Sequence, residues 1–233
     1  MTKSATMTRE LHATLGLLGG TFDPIHYGHI ELAREVRAAL GLEAVRLIPA
    51  RDPPHRGAPA ASAAHRLAMV DLALADYPDL GVDVREIGRP GPSYTVVTLT
   101  ELRNEAPARP LALIVGEDAF LGLPTWQRWH DLFDLAHFIV VARPGTPPDR
   151  ALPPALASEW ERRFTRDPRM LAQPQGGAIF AQPITPHDIS ASAIRAELAR
   201  GPDGVAAVRG LLPPAVLAYI DRNQLYRHRP DAT

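Results

Sequence analysis

Two glycines and two histidines stand close together early in the chain, within the string GGTFDPIHYGH at residues 19–29. An apolar run precedes this string and an amphipathic run follows it, which predicts a loop between a strand and a helix. Gly19 and Gly20 allow a sharp turn that brings backbone N–H groups close to a ligand, and the helix start adds free N–H groups and the positive end of its dipole. Such a loop is suited to holding phosphate.

His26 and His29 are three positions apart at the first turn of the predicted helix, so both rings can face the same space above the sheet. Gly28, which lies between them, would leave room for a flat or bulky ligand against the backbone. Two other interpretations compete with this one. The pair could be half of a metal site, although the Glu of an HExxH motif is missing, or it could be an ordinary helix start with local hydrogen bonds.

The loop differs from the two common phosphate-binding motifs. Lys3 is the only lysine in the chain, so the loop cannot be completed as a Walker loop, and the GxGxxG spacing of dinucleotide-binding proteins is absent. Phosphate binding would therefore depend on arginine and histidine side chains and on the N-termini of helices.

A second candidate anion site lies at residues 188–195, where the sequence DISASAIR begins a late predicted helix. Ser190 or Ser192 can cap that helix, and capping alone would explain a serine there. Capping does not explain Arg195, which follows Ser192 by three positions and so lies on the same helix face. Hydroxyl groups, helix N–H groups and a guanidinium together bind phosphate, and two such sites suit a triphosphate.

Short apolar runs alternate with longer amphipathic stretches from residue 14 onward, which is typical of a parallel sheet with crossover helices. We therefore predict an α/β fold with a Rossmann-like, doubly wound parallel sheet, in which ligands bind beyond the carboxyl ends of the strands. The predicted strands are residues 15–19, 45–49, 81–87, 111–115, 137–142 and 178–183. The predicted helices are residues 28–40, 61–76, 94–104, 155–164, 192–200 and 214–222, with a turn-rich piece at 119–132.

The 233-residue chain is interpreted as a single domain over residues 14–226, with a flexible N-terminus at 1–13 and a C-terminal tail at 227–233. Residues 146–177 are rich in proline and arginine. We interpret this stretch as a surface insertion, because about 30 residues cannot bury a core of their own.

Composition excludes several classes of function. The chain has no cysteine, which removes disulfides, thiolate nucleophiles and cysteine-ligated metal sites. A net charge of -1 argues against a nucleic-acid-binding surface. The longest apolar runs, such as residues 111–115, are far shorter than the roughly 20 residues that a membrane-spanning helix needs. Residues 1–13 lack the apolar centre of a secretion signal, so the cytoplasm is the expected location.

GGTFDPIHYGH and ISASAIR resemble the HxGH and ISSTxxR signatures of the nucleotidylyltransferase superfamily. The series GPSYT at 91–95, GEDAF at 116–120 and LPTW at 123–126 resembles its nicotinate-nucleotide adenylyltransferase branch. The resemblance covers most of the chain except the N-terminus and residues 146–177. It departs from the family pattern at Arg56, where relatives have the lysine of PHK, and at Ala191, where a hydroxyl is lost.

The resemblance implies a nucleotidylyltransferase-type fold and a reaction in which the 5′-phosphate of nicotinate mononucleotide attacks the α-phosphorus of ATP, giving deamido-NAD and pyrophosphate. The implied catalytic residues are His26, His29 and Arg195. The residues implied to bind ATP and its phosphates are Gly19, Gly20, Thr21, Phe22, Gly28, Arg56, Gly116, Asp118, Ile189, Ser190 and Ser192. The residues implied to bind nicotinate mononucleotide are His55, Thr95, Trp126 and Gln127.

The resemblance also implies that Mg²⁺ accompanies ATP and is held mainly by the substrate phosphates, with no metal site on the protein. Four alternatives stay open: a nicotinamide mononucleotide adenylyltransferase, a phosphopantetheine adenylyltransferase, a catalytically silent nucleotide-binding protein and a zinc-binding module. The intact His26, His29 and Arg195 argue against a silent relative. Neither nucleic acid nor membrane is an expected partner, and a homo-oligomer is left open.

Overall fold

The computed structural model describes residues 13–54, 57–142 and 152–227. His55, Arg56, nearly all of the N-terminal segment 1–13, the tail beyond residue 227 and the first residues of the predicted insertion therefore lie outside the described residues.

The described residues form a seven-stranded sheet in which every neighbouring pair is parallel, in the order β3-β2-β1-β4-β5-β7-β6. This confirms the predicted Rossmann-like, doubly wound α/β fold. The strands are β1 Leu15–Gly20, β2 Ala44–Pro49, β3 Leu80–Val82, β4 Leu111–Gly116, β5 His137–Ala142, β6 Phe164–Thr165 and β7 Ile179–Pro183.

Helices cover both faces of the sheet, and the longer ones occur where the sequence predicts them. They are α1 Tyr27–Leu40, α2 Ala63–Leu74, α3 Arg85–Gly88, α4 Thr95–Glu105, α5 Glu117–Leu121, α6 Leu132–Leu135, α7 Pro154–Arg163, α8 Ala191–Leu198, α9 Pro202–Ala207 and α10 Pro214–Arg222. Short 3-10 turns lie at Leu123–Thr125, Trp129–Asp131 and Pro168–Ala172. No described helix is both long and apolar enough to cross a membrane.

The sheet separates two hydrophobic cores. Leu17 and Leu18 are neighbours on β1, yet their side chains belong to different buried clusters because alternate residues of a strand point to opposite faces. The strand β5 is buried along its whole length, as expected for a parallel strand covered on both sides. The helix α1 docks through a single stripe of apolar side chains, which are Ile30, Ala33, Val36 and Leu40.

The predicted strand at residues 81–87 is wrong in its second half. The strand β3 ends at Val82, and the chain then turns into α3. The Asp83 carboxylate accepts hydrogen bonds from the Arg85 backbone N–H at 3.1 Å and from its guanidinium at 2.9 Å. This local bonding competes with the sheet ladder and ends the strand.

Part of the predicted surface insertion lies in the core. Within its described portion, α7 buries Leu156 and Trp160 against the sheet, Leu171 is fully buried, and β6 pairs with β7 at the edge of the sheet. The stretch adds to the single fold instead of standing apart from it.

The sheet also fixes where a ligand can bind. The strand β1 pairs with β2 on one side and with β4 on the other, so the connections after β1 and β4 leave the sheet on opposite sides. Such a switch in strand order opens a crevice at the carboxyl ends of the central strands. The string at residues 19–29 borders this crevice, but Gly19 and Gly20 do not form the predicted turn: they are the last two residues of β1 and pair with Ile48 and Pro49 of β2.

Candidate active site

Two cavities lie at the carboxyl ends of β1 and β4. The larger has a volume of about 1100 Å³ and the smaller about 380 Å³. They share part of their walls, which is formed by Gly19, Gly20, Thr21, Gly116, Asp118 and Ala119. Molecules bound in the two cavities would therefore meet at the ends of these two central strands.

The larger cavity brings together the two candidate anion sites, although 159 positions of sequence separate residue 29 from residue 188. The predicted site residues that line it are Gly19, Gly20, Thr21, Phe22, His26, His29, Gly116, Asp118, Ser190, Ser192 and Arg195. Ile189 and Gly28 line neither cavity. They lie side by side just behind the wall, since a Cβ atom on Gly28 would stand 3.6 Å from that of Ile189.

His26 and His29 face the same cavity, with their rings stacked at a centroid distance of 3.7 Å. The backbone N–H of His26 donates to Nδ1 of His29 at 3.3 Å. Because Nδ1 of His29 is an acceptor, the proton of its neutral ring is on Nε2. The ring of Phe22 contacts that of His29 edge-on at 5.1 Å and limits its rotation.

His26 is 5% exposed, and burial lowers its pKa from an ordinary value of 6.5 to about 4. Its Nδ1 is buried with no protein partner. The ring is therefore neutral near pH 7, and a buried polar atom beside the cavity is left without compensation. Such a group is typical of a functional site.

The lowered pKa makes the free energy of unfolding depend on pH. Between pH 6.5 and pH 4 the unfolded state binds the His26 proton and the folded state does not, so stability falls as the pH falls. This residue should contribute a loss of about 2 kcal/mol between pH 7 and pH 5. Urea unfolding of the wild type and of His26→Asn at both pH values measures it. An equal loss in the two proteins would contradict the expected result.

Glycine suits position 28 for a different reason from the one that the sequence suggests. A Cβ atom there would stand 3.0 Å from Nδ1 and 3.1 Å from Cε1 of His26, so the imidazole occupies the space that we expected a ligand to fill. Gly20 makes room in the same way for the ring of Phe22, whose carbons would lie 2.8 Å from an added Cβ. Phe22 itself adopts a left-handed conformation with φ of 49°.

We expect Gly28→Ala to displace the His26 ring and to lower kcat about tenfold, because misplacement of a group at a reacting centre is costly. Gly57→Ala is a suitable control, since an added Cβ there meets nothing within 4 Å and Gly57 lines the same cavity. Steady-state kinetics of both variants test this. Equal activity of Gly28→Ala and wild type would show that the ring position is unimportant.

The helix α8 presents its N-terminus to the same cavity. Ser190 is the N-cap, and its hydroxyl accepts from the Ala193 backbone N–H at 3.1 Å. Arg195 donates from Nη2 to the Ser192 hydroxyl at 3.2 Å and from Nη1 to the Asp23 backbone carbonyl at 2.7 Å. These two bonds confirm that Arg195 and Ser192 share a face, and they hold the guanidinium over the helix start.

Arg66 organises the loops around the site, a role that the sequence analysis did not assign. Its side chain is fully buried and donates hydrogen bonds to backbone carbonyls of two loops, one between β1 and α1 and one between β2 and α2. The acceptors are Thr21, Ala50, Arg51 and Ala61, at 2.6–3.2 Å. Helical spacing could have indicated this burial, because Arg66 lies on the same face as Met69, Val70 and Ala73.

The smaller cavity is lined by two of the residues predicted to bind nicotinate mononucleotide, Thr95 and Trp126. Thr95 begins α4, so this helix directs its first N–H groups toward the cavity. The indole of Trp126 packs against one of the hydrophobic cores and also lines the cavity. Gln127, by contrast, is exposed and lines neither cavity.

Four polar residues that line this cavity were not predicted as site residues: Glu86, Ser93, Thr98 and Thr125. Glu86 is buried, which raises the pKa of its carboxyl group, and it accepts a hydrogen bond from the Thr98 hydroxyl at 2.6 Å. Ser93 also lines the cavity, and its oxygen accepts from the Arg51 backbone N–H at 2.9 Å. The prediction of a strand over residues 81–87 concealed Glu86, which lies on α3.

Within residues 13–54, 57–142 and 152–227, no three His, Asp or Glu side chains come together in a way that could hold a metal ion. The walls of the larger cavity instead offer groups suited to anions, which are the His26 and His29 rings, the N-terminus of α8 and the Arg195 guanidinium.

Comparisons with known proteins agree with this geometry. Residues 17–197 match the model of the cytidylyltransferase-like family. A protein of Halorhodospira halophila named probable nicotinate-nucleotide adenylyltransferase is 53% identical over 89% of this chain and 93% of its own. A protein of the same name from Acidithiobacillus ferrooxidans is 47% identical over 95% of this chain and 99% of its own.

The chain belongs to the nicotinate-nucleotide adenylyltransferase family. A solved structure has the same fold at 16% identity and a TM-score of 0.67, covering 91% of this chain and 97% of its own. It is the nicotinic acid mononucleotide adenylyltransferase of Plasmodium falciparum in complex with NaAD. Membership of the family is thus supported by sequence over most of the chain and by the fold.

Proposed function

We propose that this protein transfers the adenylyl group of ATP to nicotinate mononucleotide, releasing pyrophosphate and forming deamido-NAD. One observation carries the proposal: a large cavity lined by His26, His29, Arg195 and the N-terminus of α8 shares a wall with a smaller cavity that contains a tryptophan and the N-terminus of α4. The names of relatives about half identical to the chain support the same reaction.

The two cavities suggest how the substrates are arranged. The triphosphate of ATP occupies the larger cavity, and the mononucleotide occupies the smaller one with its 5′-phosphate at the shared wall. An oxygen of that phosphate forms a bond to the α-phosphorus of ATP, while the bond from the α-phosphorus to the bridging oxygen breaks and pyrophosphate leaves with the electron pair. No bond to the protein is formed. The protein contributes positioning and neutralisation of charge.

Different residues position the substrates and neutralise the developing charge. His29 donates from Nε2 to an oxygen of the reacting phosphate, and His26 supports it through its backbone N–H and its stacked ring. Arg195 and the N-terminus of α8 bind the departing pyrophosphate. These interactions strengthen as negative charge moves onto the leaving group, which is the condition for lowering the barrier.

Mg²⁺ fits this site as an ion carried by the substrate, because the walls supply anion-binding groups and no cluster of three ligands among the described residues. The metal would be held by phosphate oxygens and would neutralise part of the triphosphate charge. Asp118 is the exposed carboxylate on the shared wall and is the protein oxygen donor that we propose for the ion or for its bound water.

The pyridine end of the acceptor is assigned to the smaller cavity. Trp126 offers a flat face for the ring, and the N–H groups at the start of α4, including that of Thr95, suit the nicotinate carboxylate.

We place the reaction in the cytoplasm.

The test is pyrophosphate release from Mg·ATP with nicotinate mononucleotide, nicotinamide mononucleotide or phosphopantetheine offered singly. We expect the highest kcat/KM with nicotinate mononucleotide, and deamido-NAD as the product. A higher kcat/KM with nicotinamide mononucleotide would assign the amide reaction instead. Release with none of the three would overturn the enzymatic function.

A further inference from the structure

The C-terminal segment reaches back into the active site. The hydroxyl of Tyr226 donates to Oδ1 of Asp23 at 2.7 Å, across 203 positions of sequence. Asp23 lies in the loop between β1 and α1, three positions before His26. This contact therefore joins the end of the described fold to the loop that carries the histidines.

Asp23 is 5% exposed and joins several parts of the site. Its carboxylate accepts from the backbone N–H groups of Ala60 at 2.7 Å and Ala61 at 3.1 Å. Its backbone carbonyl accepts from Nη1 of Arg195 at 2.7 Å. The position of Arg195 thus depends on where the Asp23 backbone is held, and the Asp23 carboxylate fixes that backbone.

The hydroxyl of Tyr226 is well placed to hold the Asp23 carboxylate. Burial and the hydrogen bond to Asp23 raise the pKa of Tyr226, so the phenol stays protonated and remains a donor. Tyr226 and its near neighbour Gln224 both have left-handed backbone, with φ of 62° and 51°. Such conformations persist where surrounding contacts hold them in place, which is common at functional sites.

We propose that Tyr226 is a positioning residue that holds Arg195 over the pyrophosphate site through Asp23. The proposal rests on the adenylyl transfer function given above. It assigns to the C-terminal segment a part in catalysis, although Tyr226 lines neither cavity and so touches neither substrate.

The experiment is a double-mutant cycle of Tyr226→Phe and Arg195→Ala, with kcat measured from the deamido-NAD formed. Tyr226→Phe should lower kcat about tenfold, since the hydrogen bond is to a charged group that fixes a reacting centre. The KM for nicotinate mononucleotide should stay within about twofold of wild type. In the Arg195→Ala background the same substitution should have almost no further effect, because residues that act as a unit are not additive.

Tyr219→Phe is the matched control. Its hydroxyl also makes a hydrogen bond of 2.9 Å, to Nδ1 of His65, but away from both cavities. Loss of a structural hydrogen bond alone would affect the two tyrosine variants alike. Wild-type kcat in Tyr226→Phe, an equal fall in Tyr219→Phe, or an undiminished effect in the Arg195→Ala background would each overturn the proposal.

Two further measurements test the role of Tyr226 if Tyr226→Phe does not fold or if the proposed reaction does not occur. If Tyr226→Phe does not fold, Asp23→Asn tests the same contact, and a kcat equal to that of wild type would count against it. If the wild type forms no deamido-NAD, the proposed function fails. The inference is then decided by calorimetric binding of α,β-methylene ATP, for which Tyr226→Phe should raise Kd about fivefold and Tyr219→Phe should not. An unchanged Kd in Tyr226→Phe would overturn it.

Discussion

Replacing His29 by alanine should lower kcat by about 10²- to 10³-fold, the range found when a donor to a developing negative charge is removed. His29 lines the larger cavity, and its Nδ1 accepts from the His26 backbone N–H, which leaves the proton on Nε2. Alanine removes that donor and the packing against Phe22. The KM for nicotinate mononucleotide should change little, because this substrate is assigned to the other cavity.

Two variants make the His29 result specific. His29→Gln places an amide N–H₂ near the position of Nε2 and should recover part of the lost kcat. His65→Ala removes another half-buried histidine, whose ring meets Tyr219 outside the cavities, and should keep kcat within about twofold. Near-normal turnover of His29→Ala would remove this ring from the chemistry. Circular dichroism and unfolding curves show whether each variant is folded.

Arg195→Ala should have an effect of similar size and should also raise the KM for ATP. The guanidinium lines the larger cavity and is fixed by two hydrogen bonds, to the Ser192 hydroxyl and the Asp23 carbonyl. Its removal takes away the charge that balances the departing pyrophosphate, worth about 10²- to 10³-fold in kcat. Steady-state kinetics with varied Mg·ATP measure both constants.

Arg195→Lys separates charge from geometry. Lysine keeps the positive charge but presents it on a single nitrogen, whereas Nη1 and Nη2 of the planar guanidinium each reach a different partner, so we expect about tenfold lower kcat than wild type. Arg200→Ala is the control, because Arg200 lies just beyond the same helix and pairs with Glu197 at an exposed position. If Arg195→Ala and Arg200→Ala gave the same kcat, the assignment of Arg195 would fail.

The sequence was sufficient for features that depend on local spacing. The apolar pattern predicted β5 to the residue and α10 to the residue, because buried strands and amphipathic helices have periodicities of their own. The spacing of Ser192 and Arg195 predicted their contact. The cavities also lie at the carboxyl ends of the strands, where a doubly wound sheet is predicted to bind ligands.

The sequence was insufficient where the contacts of a residue depend on a neighbour that is distant in the sequence. Nothing local shows that the carboxylate of Asp23 bonds to Tyr226, because that contact exists only after the chain has folded back on itself. The space beside Gly28 was wrongly assigned to a ligand, since the His26 ring fills it. The direction of that ring is set by its burial and not by its position in the string. The side-chain bonds of Asp83 overrode a strand pattern that was locally reasonable.

The buried Arg66 side chain restricts the motion of the loops that it binds. Its side chain donates to carbonyls of two loops, one between β1 and α1 and one between β2 and α2, so neither loop can detach while the other stays in place without leaving a buried cation short of acceptors. The loop between β1 and α1 is thereby included in the same cooperative unit as the sheet. Its amide hydrogens should exchange with solvent deuterium about as slowly as those of the central strands, and the larger cavity is in that sense built before any ligand arrives.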